Sequence, residues 1–78
     1  MARLASKFTV TKGGIEYEFE PADEGGYVAV VPLYPSAVSQ GESFEEALEN
    51  IEEALRDCVA VAKELGLEVP RELDLATG

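Results

Sequence analysis

The sequence has no histidine and no tryptophan, a single cysteine, and only six basic residues among 78. Each shortage removes a class of chemistry. Without histidine the commonest general base is gone, and with it Ser-His and Cys-His nucleophile activation and most zinc sites. Ser36, Ser39 and Ser43 have no base nearby in sequence, and no Ser-x-x-Lys spacing occurs. Gly13-Gly14 and Gly25-Gly26 precede no helix and no Gly-Lys-Ser, so they read as turns and not as phosphate loops. Cys58 alone cannot close an internal disulfide, and one thiol fits a reducing, cytoplasmic setting. No apolar run approaches the roughly 20 residues of a membrane helix. Arg3 and Lys7 flank no apolar stretch of the signal-peptide kind. No membrane partner, catalytic residue, metal or cofactor is expected.

What the chain has in excess is acid. Sixteen acidic residues against six basic ones give a net charge of −10. Such a chain repels phosphate backbones, so direct nucleic-acid binding is not expected, and a basic protein is the better-matched partner. The plain alternative is that the charge serves solubility. The 78 residues make one domain, 1–78. A chain this small buries only about 60% of its extended surface, which favours a homo-oligomer, most simply a dimer.

Two alternating stretches flank Gly13-Gly14. Leu4 to Thr11 sets Leu4, Phe8 and Val10 against Lys7, Thr9 and Thr11, and Ile15 to Glu20 sets Ile15, Tyr17 and Phe19 against Glu16, Glu18 and Glu20. Folding the chain at the two glycines, which accept the positive φ of a tight hairpin, places Val10 opposite Tyr17 and Phe8 opposite Phe19. On the other face Lys7 meets Glu20, Thr9 meets Glu18 and Thr11 meets Glu16. A one-residue slip would spoil both faces. Substituting valine at Gly14 is therefore expected to cost more than alanine at Gly41.

Tyr27 to Val31 is apolar on both faces and reads as a central strand, ended by Pro32 and Pro35. Val28 and Val30 point away from Tyr27, Ala29 and Val31, so one apolar set needs a second cover. Ala37 to Gln40 suits a short strand. Ser43 then opens a helix through a capping box with Glu46. Phe44, Ala47, Leu48, Ile51, Ala54, Leu55, Cys58, Ala62 and Leu65 form one apolar stripe at helical spacing. Cys58 reads there as a buried small hydrophobe. Glu45, Glu46, Glu49, Glu52 and Glu53 crowd the half of the helix where its dipole favours negative charge. Gly66 is a terminator, and Leu73 and Leu75 alternate with Glu72 and Asp74 as a last strand. The class is α+β: a small, mainly antiparallel sheet of three to five strands in β-β-β-α-β order, covered on one face by one long helix.

The run GYVAVVPLYPSAVSQGESFEEALENIEEA, Gly26 to Ala54, resembles the HicB-like antitoxin family. The matching residues are Gly26, Tyr27, Ala29, Val31, Pro32, Pro35, Ser39, Gly41, Ser43, Glu46, Ala47, Asn50, Ile51, Glu53 and Ala54. Leu33 stands where the family commonly has aspartate, and Ser36 where it has glycine. The first alternating stretch lies outside the match. The resemblance implies a fold similar to part of a ribonuclease H fold. It also implies a protein that neutralises a small basic, messenger-RNA-cleaving toxin by covering its active surface. Many members add a C-terminal DNA-binding segment. Only twelve residues follow Gly66, so a stand-alone domain without that segment is expected.

Candidate partner-binding residues follow from charge placement: Glu16, Glu18 and Glu20 on one strand face, then Glu45, Glu49 and Glu52 on the helix. Leu33 and Tyr34 in the proline-bounded turn are the apolar candidates. A carboxylate metal site is the rival use of the strand glutamates. Two-metal chemistry needs carboxylates converging on ions roughly 4 Å apart. Alternate strand residues lie about 6.6 Å apart and diverge. The functional alternatives are a domain of this fold that binds another protein or a small ligand, and a weak metal-dependent nuclease.

Overall fold

The computed structural model describes residues 7–73. Four strands, β1 (Phe8–Lys12), β2 (Ile15–Pro21), β3 (Tyr27–Val30) and β4 (Val38–Gly41), precede one long helix, α1 (Phe44–Glu64). The sheet is an antiparallel meander in the order β1-β2-β3-β4, so β2 and β3 are interior. One helix on one side of an antiparallel sheet is the α+β arrangement expected from the sequence.

The first hairpin has the expected register: Phe8 opposes Phe19, Thr9 Glu18, Val10 Tyr17 and Thr11 Glu16. Gly13 and Gly14 have φ of 60° and 82°. Positive φ at both central residues is the turn whose twist suits paired strands. Two details differ from the sequence reading. The ladder ends at Phe8, and the Lys7 ammonium lies 3.5 Å from Glu18 rather than meeting Glu20. A lysine stem reaches the diagonal neighbour as easily as the opposite one. Leu4, which was expected to start the first strand, lies outside the described residues.

The helix begins as its sequence requires. The Glu46 backbone N–H donates to Ser43 Oγ at 3.1 Å. The Glu46 carboxylate accepts from the N–H of Glu42 at 2.8 Å, one residue before the cap. At the other end the Leu67 N–H donates to the Ala62 carbonyl and the Gly66 N–H to that of Lys63. Those paired bonds close a Schellman motif and satisfy carbonyls that the helix leaves open.

The core lies between the helix and one sheet face. Ile15, Tyr17, Phe19 and Ala29 from the strands, Val31 and Ala37 beyond them, and Ala47, Ile51, Leu55 and Val59 from α1 are all buried. The Phe19 ring is 5.5 Å from that of Phe8 and 4.9 Å from that of Phe44, which pins the start of α1 over the first hairpin. The helical stripe is only partly the one expected. Val59 is in the core, Cys58 is half-buried, and Leu65 is 68% exposed. At about 1.5 Å per residue α1 is roughly 30 Å long, more than twice the length of a four-residue strand. Its last turns outrun the sheet.

The chain after the helix also departs from expectation. Where the alternation of Leu73 and Leu75 predicts a last strand, residues 71–73 are helical, and Asp74 and Leu75 lie outside the described residues. Leu73 is fully buried against the core. Alternation over four residues is also satisfied by a helical turn that buries one leucine, and Pro70 suits a helix start better than an interior strand.

Helix and sheet touch most closely at Gly41. A Cβ there would lie 2.4 Å from the Ala47 nitrogen and 2.8 Å from its Cα. A Cβ on Gly26, whose φ is +78°, would lie 2.4 Å from the Gly41 carbonyl oxygen. A Cβ on Gly14 would meet no other part of the chain within 4 Å. The expected ranking of the two glycines is therefore reversed. Gly41→Ala forces backbone apart in the middle of the packing and should cost about 3 kcal/mol or more. Gly14→Val costs the strain of a left-handed residue, about 1–2 kcal/mol. Urea unfolding of both variants checks this. A lower midpoint for Gly14→Val than for Gly41→Ala would contradict the packing argument.

Candidate functional site

The helix covers one face of the sheet, and among the described residues nothing covers the other. Strand alternation and register put Thr9, Glu18, Val30 and Val38 in one row across that open face. Glu20, Val28 and Gln40 form the next row. Glu16 lies beside Thr11 on the same face. Glu16, Glu20 and Val38 are exposed, while Glu18, Val28 and Val30 are half-buried by their neighbours. The result is three glutamates in file along β2, bordered by a strip of three valines on β3 and β4. Chemically this offers negative charge with an adjacent apolar contact, matched to a surface carrying lysine or arginine beside apolar side chains. Among the described residues no three of His, Cys, Asp and Glu are gathered as a metal would need.

The other candidates lie elsewhere. Glu45 and Glu49 are exposed on α1, on the opposite side of the sheet from the glutamate file. Glu52 is engaged within the protein. Its carboxylate is 2.9 Å from the Lys12 ammonium, which ties the helix to the end of β1. It also stands near the buried Tyr17 phenol. Leu33 and Tyr34 sit in the turn closed by the bonds Tyr34 N–H to Val31 and Ala37 N–H to Tyr34. Leu33 is 45% exposed, and Tyr34 is half-buried against the core. The eight candidates thus fall into separate places: a file on the open sheet face, whose Glu18 pairs with Lys7, two exposed helix glutamates, Glu52 paired with Lys12, and an apolar turn.

Two features escaped the sequence reading. Asn50 Nδ2 donates to the Gln40 carbonyl at 2.7 Å, so a helix side chain satisfies an acceptor on edge strand β4. The second is an apolar groove of about 310 Å³ at the overhanging end of α1, lined by Tyr34, Cys58, Val61, Ala62, Leu65 and Leu67 with Ser36 and Asp57 at its rim. Ala54, Cys58, Val61 and Leu65 follow the spacing i, i+4, i+7, i+11. That second stripe was available in the sequence, but nothing local separates it from the core stripe.

Relatives are found among known proteins by sequence. No family model matches the chain, and no solved structure matches it. A UPF0150 protein of Thermoplasma acidophilum is 38% identical over 50 residues, which cover 64% of this chain and 72% of the relative. A UPF0150 protein of Helicobacter pylori is 61% identical over 33 residues, 42% of this chain and 46% of the relative. Antitoxin HicB 1 of Photorhabdus laumondii is 37% identical over 60 residues, 63% of this chain and 39% of the relative. The chain spans less than half the length of the Helicobacter and Photorhabdus relatives. A four-stranded antiparallel meander under one capped helix, together with these similarities, defines a HicB-like fold. Within that class the chain belongs to the UPF0150 family.

Burial, and secondarily the Glu52 carboxylate, push the Tyr17 phenol above its ordinary value of 10.0, against an opposing effect of Arg56. The folded protein therefore holds its proton more tightly than the unfolded chain. The associated stability is complete below about pH 10 and is lost as pH rises from there through the raised value. Denaturation midpoints should fall across that alkaline window. Tyr17→Phe should flatten this part of the profile, and an unchanged slope would place the titration on another group.

Proposed function

We propose that this chain is an antitoxin-type binding protein, not an enzyme, which neutralises a small basic RNA-cleaving protein by docking it on the open sheet face. The observation that carries the reading is the glutamate file Glu16, Glu18 and Glu20 beside Val28, Val30 and Val38, on a chain of net charge −10. The similarity to Antitoxin HicB 1 supports it independently. An RNA-cleaving partner must present positive charge to hold phosphates, so an acidic cover competes with RNA for the same surface. Long-range attraction steers the encounter, and the valine strip gives the contact an apolar centre. Leu33 and Tyr34 are the second contact site of this reading. The exposed Glu45 and Glu49 contribute through the field of the whole protein. Glu52, held by Lys12 at 2.9 Å, contributes least, and Glu18, beside Lys7 at 3.5 Å, contributes less than Glu16 and Glu20.

The test is association with a short basic protein encoded beside this one, measured by stopped-flow or surface plasmon resonance. Reversing Glu16 and Glu18 to lysine should slow association about tenfold or more at low salt, with the difference shrinking as salt is raised. Folding should change little, since Glu16 is exposed and Glu18 half-buried at the surface. Equal association rates for both proteins at every salt concentration would remove the sheet face from consideration and leave Leu33 and Tyr34.

A further inference from the structure

The two edges of the sheet are not alike. The edge at β4 is the one α1 packs against. Its Gln40 carbonyl accepts from Asn50, and Glu42 and Glu46 stand at its end. The edge at β1 lies away from the helix, which reaches it only through side chains, Glu52 to Lys12 and Phe44 to Phe8.

The first hairpin decides which backbone groups β1 leaves open. In a two-residue hairpin the residues flanking the turn, here Lys12 and Ile15, exchange both backbone bonds, and bonded pairs alternate from there. Val10 and Phe8 therefore bond inward to Tyr17 and Phe19. The N–H and C=O groups of Thr9 and Thr11 point out of the sheet, and no backbone bond elsewhere among the described residues takes them up. Such groups are a template for another strand. The usual guards are missing. β1 has no proline, and its register runs without a bulge. Its flanking lysines are drawn back onto their own chain by Glu18 and Glu52.

Charge and symmetry name the incoming strand. The chain has sixteen acidic residues, yet none precedes Glu16. Lys7 and Lys12 make this the wrong edge for a basic protein, which the glutamate file attracts instead. A second copy, acidic as it is elsewhere, meets no acid on β1. The strand also complements itself. A two-fold axis at Val10 sets Thr9 opposite the partner's Thr11, so every open group of both threonines is used. Val10 then faces its own copy, and Phe8, 39% exposed, faces the stem of the partner's Lys12. No lysine opposes a lysine. Lys12 and its copy lie about 13 Å apart along the strands, and Lys7 points to the other face.

We propose that β1 is the contact between two copies of this chain, paired antiparallel about Val10 into one continuous sheet. The two helices lie on the same side of it, over the outer strands. The two glutamate files lie together on the open side. The inference does not depend on the antitoxin reading, because its test involves this chain alone.

Sedimentation velocity at tens of micromolar compares the wild type with Thr11→Pro and Leu65→Glu. Proline removes an outward N–H and leaves the β1–β2 bonds in place, so Thr11→Pro should keep the wild-type circular dichroism. The wild type and Leu65→Glu should sediment with twice the mass of Thr11→Pro. A dimeric Thr11→Pro would overturn the proposal. So would a monomeric Leu65→Glu, which would move the contact to the helix end. A monomeric wild type would overturn it too and leave the edge to a strand of another protein. Should Thr11→Pro fail to fold, amide hydrogen exchange of the wild type at hundreds of micromolar decides instead. The Thr9 and Thr11 amides should exchange about tenfold or more slowly than in an unstructured peptide. Exchange at the peptide rate would overturn the proposal.

Discussion

Helix α1 meets strand β4 with no side chain between their backbones at Gly41, and much else depends on that approach. A Cβ at Gly41 would overlap the first turn of the helix, and one at Gly26 would overlap the Gly41 carbonyl. Glycine, glycine and alanine therefore stack as one small-residue layer joining the β2–β3 turn, the edge of the sheet and the helix. The capping bonds of Ser43 and Glu46 fix the helix axis within two residues of this contact. The Asn50 amide, about one turn beyond Glu46, reaches back to Gln40 and holds the same strand. Once the helix is set at that distance, Ala47, Ile51 and Leu55 join Phe19, Ala29 and Val31 in one buried cluster. Close packing of this kind transmits a one-atom change across the core.

The same approach governs where charge is displayed. Because α1 occupies one face, the alternation of β2 sends Ile15, Tyr17 and Phe19 under it and Glu16, Glu18 and Glu20 to the other side. The helix places its own glutamates away from the core, so negative charge appears on two opposed surfaces. At the end of the helix Val61 and Leu65 are left exposed. A single molecule thus presents two kinds of surface. One is acidic with a valine strip, suited to a basic protein. The other is apolar, at the end of α1.

Much of this architecture was legible from local patterns. The Gly13-Gly14 hairpin could be registered residue by residue because both faces of the ladder had to agree. The helix limits were written in Ser43, Glu46 and Gly66. The matches from Gly26 to Ala54 led to a HicB-like fold, in line with the UPF0150 relatives. The candidate site was legible only as a list. Glu16, Glu18 and Glu20 could be placed on one face from periodicity. That Val28, Val30 and Val38 border them follows from the β2–β3 and β3–β4 registers, which no short turn fixes. That Glu52 is engaged by Lys12 depends on how the helix crosses the hairpin.

The sequence by itself determined the element types up to the end of α1, the first hairpin's register, the helix caps and the acidic balance. Each is a property of neighbours in the chain, set by side-chain period, turn conformation or composition. Tertiary structure alone decided that Gly41 is a point of contact, that Leu65 and Cys58 leave the core while Val59 enters it, and that Leu73 is buried from a helical turn. These depend on the distance and angle at which a roughly 30 Å helix crosses strands shorter than itself. Periodicity marks an apolar stripe, but not the point along it where the sheet ends.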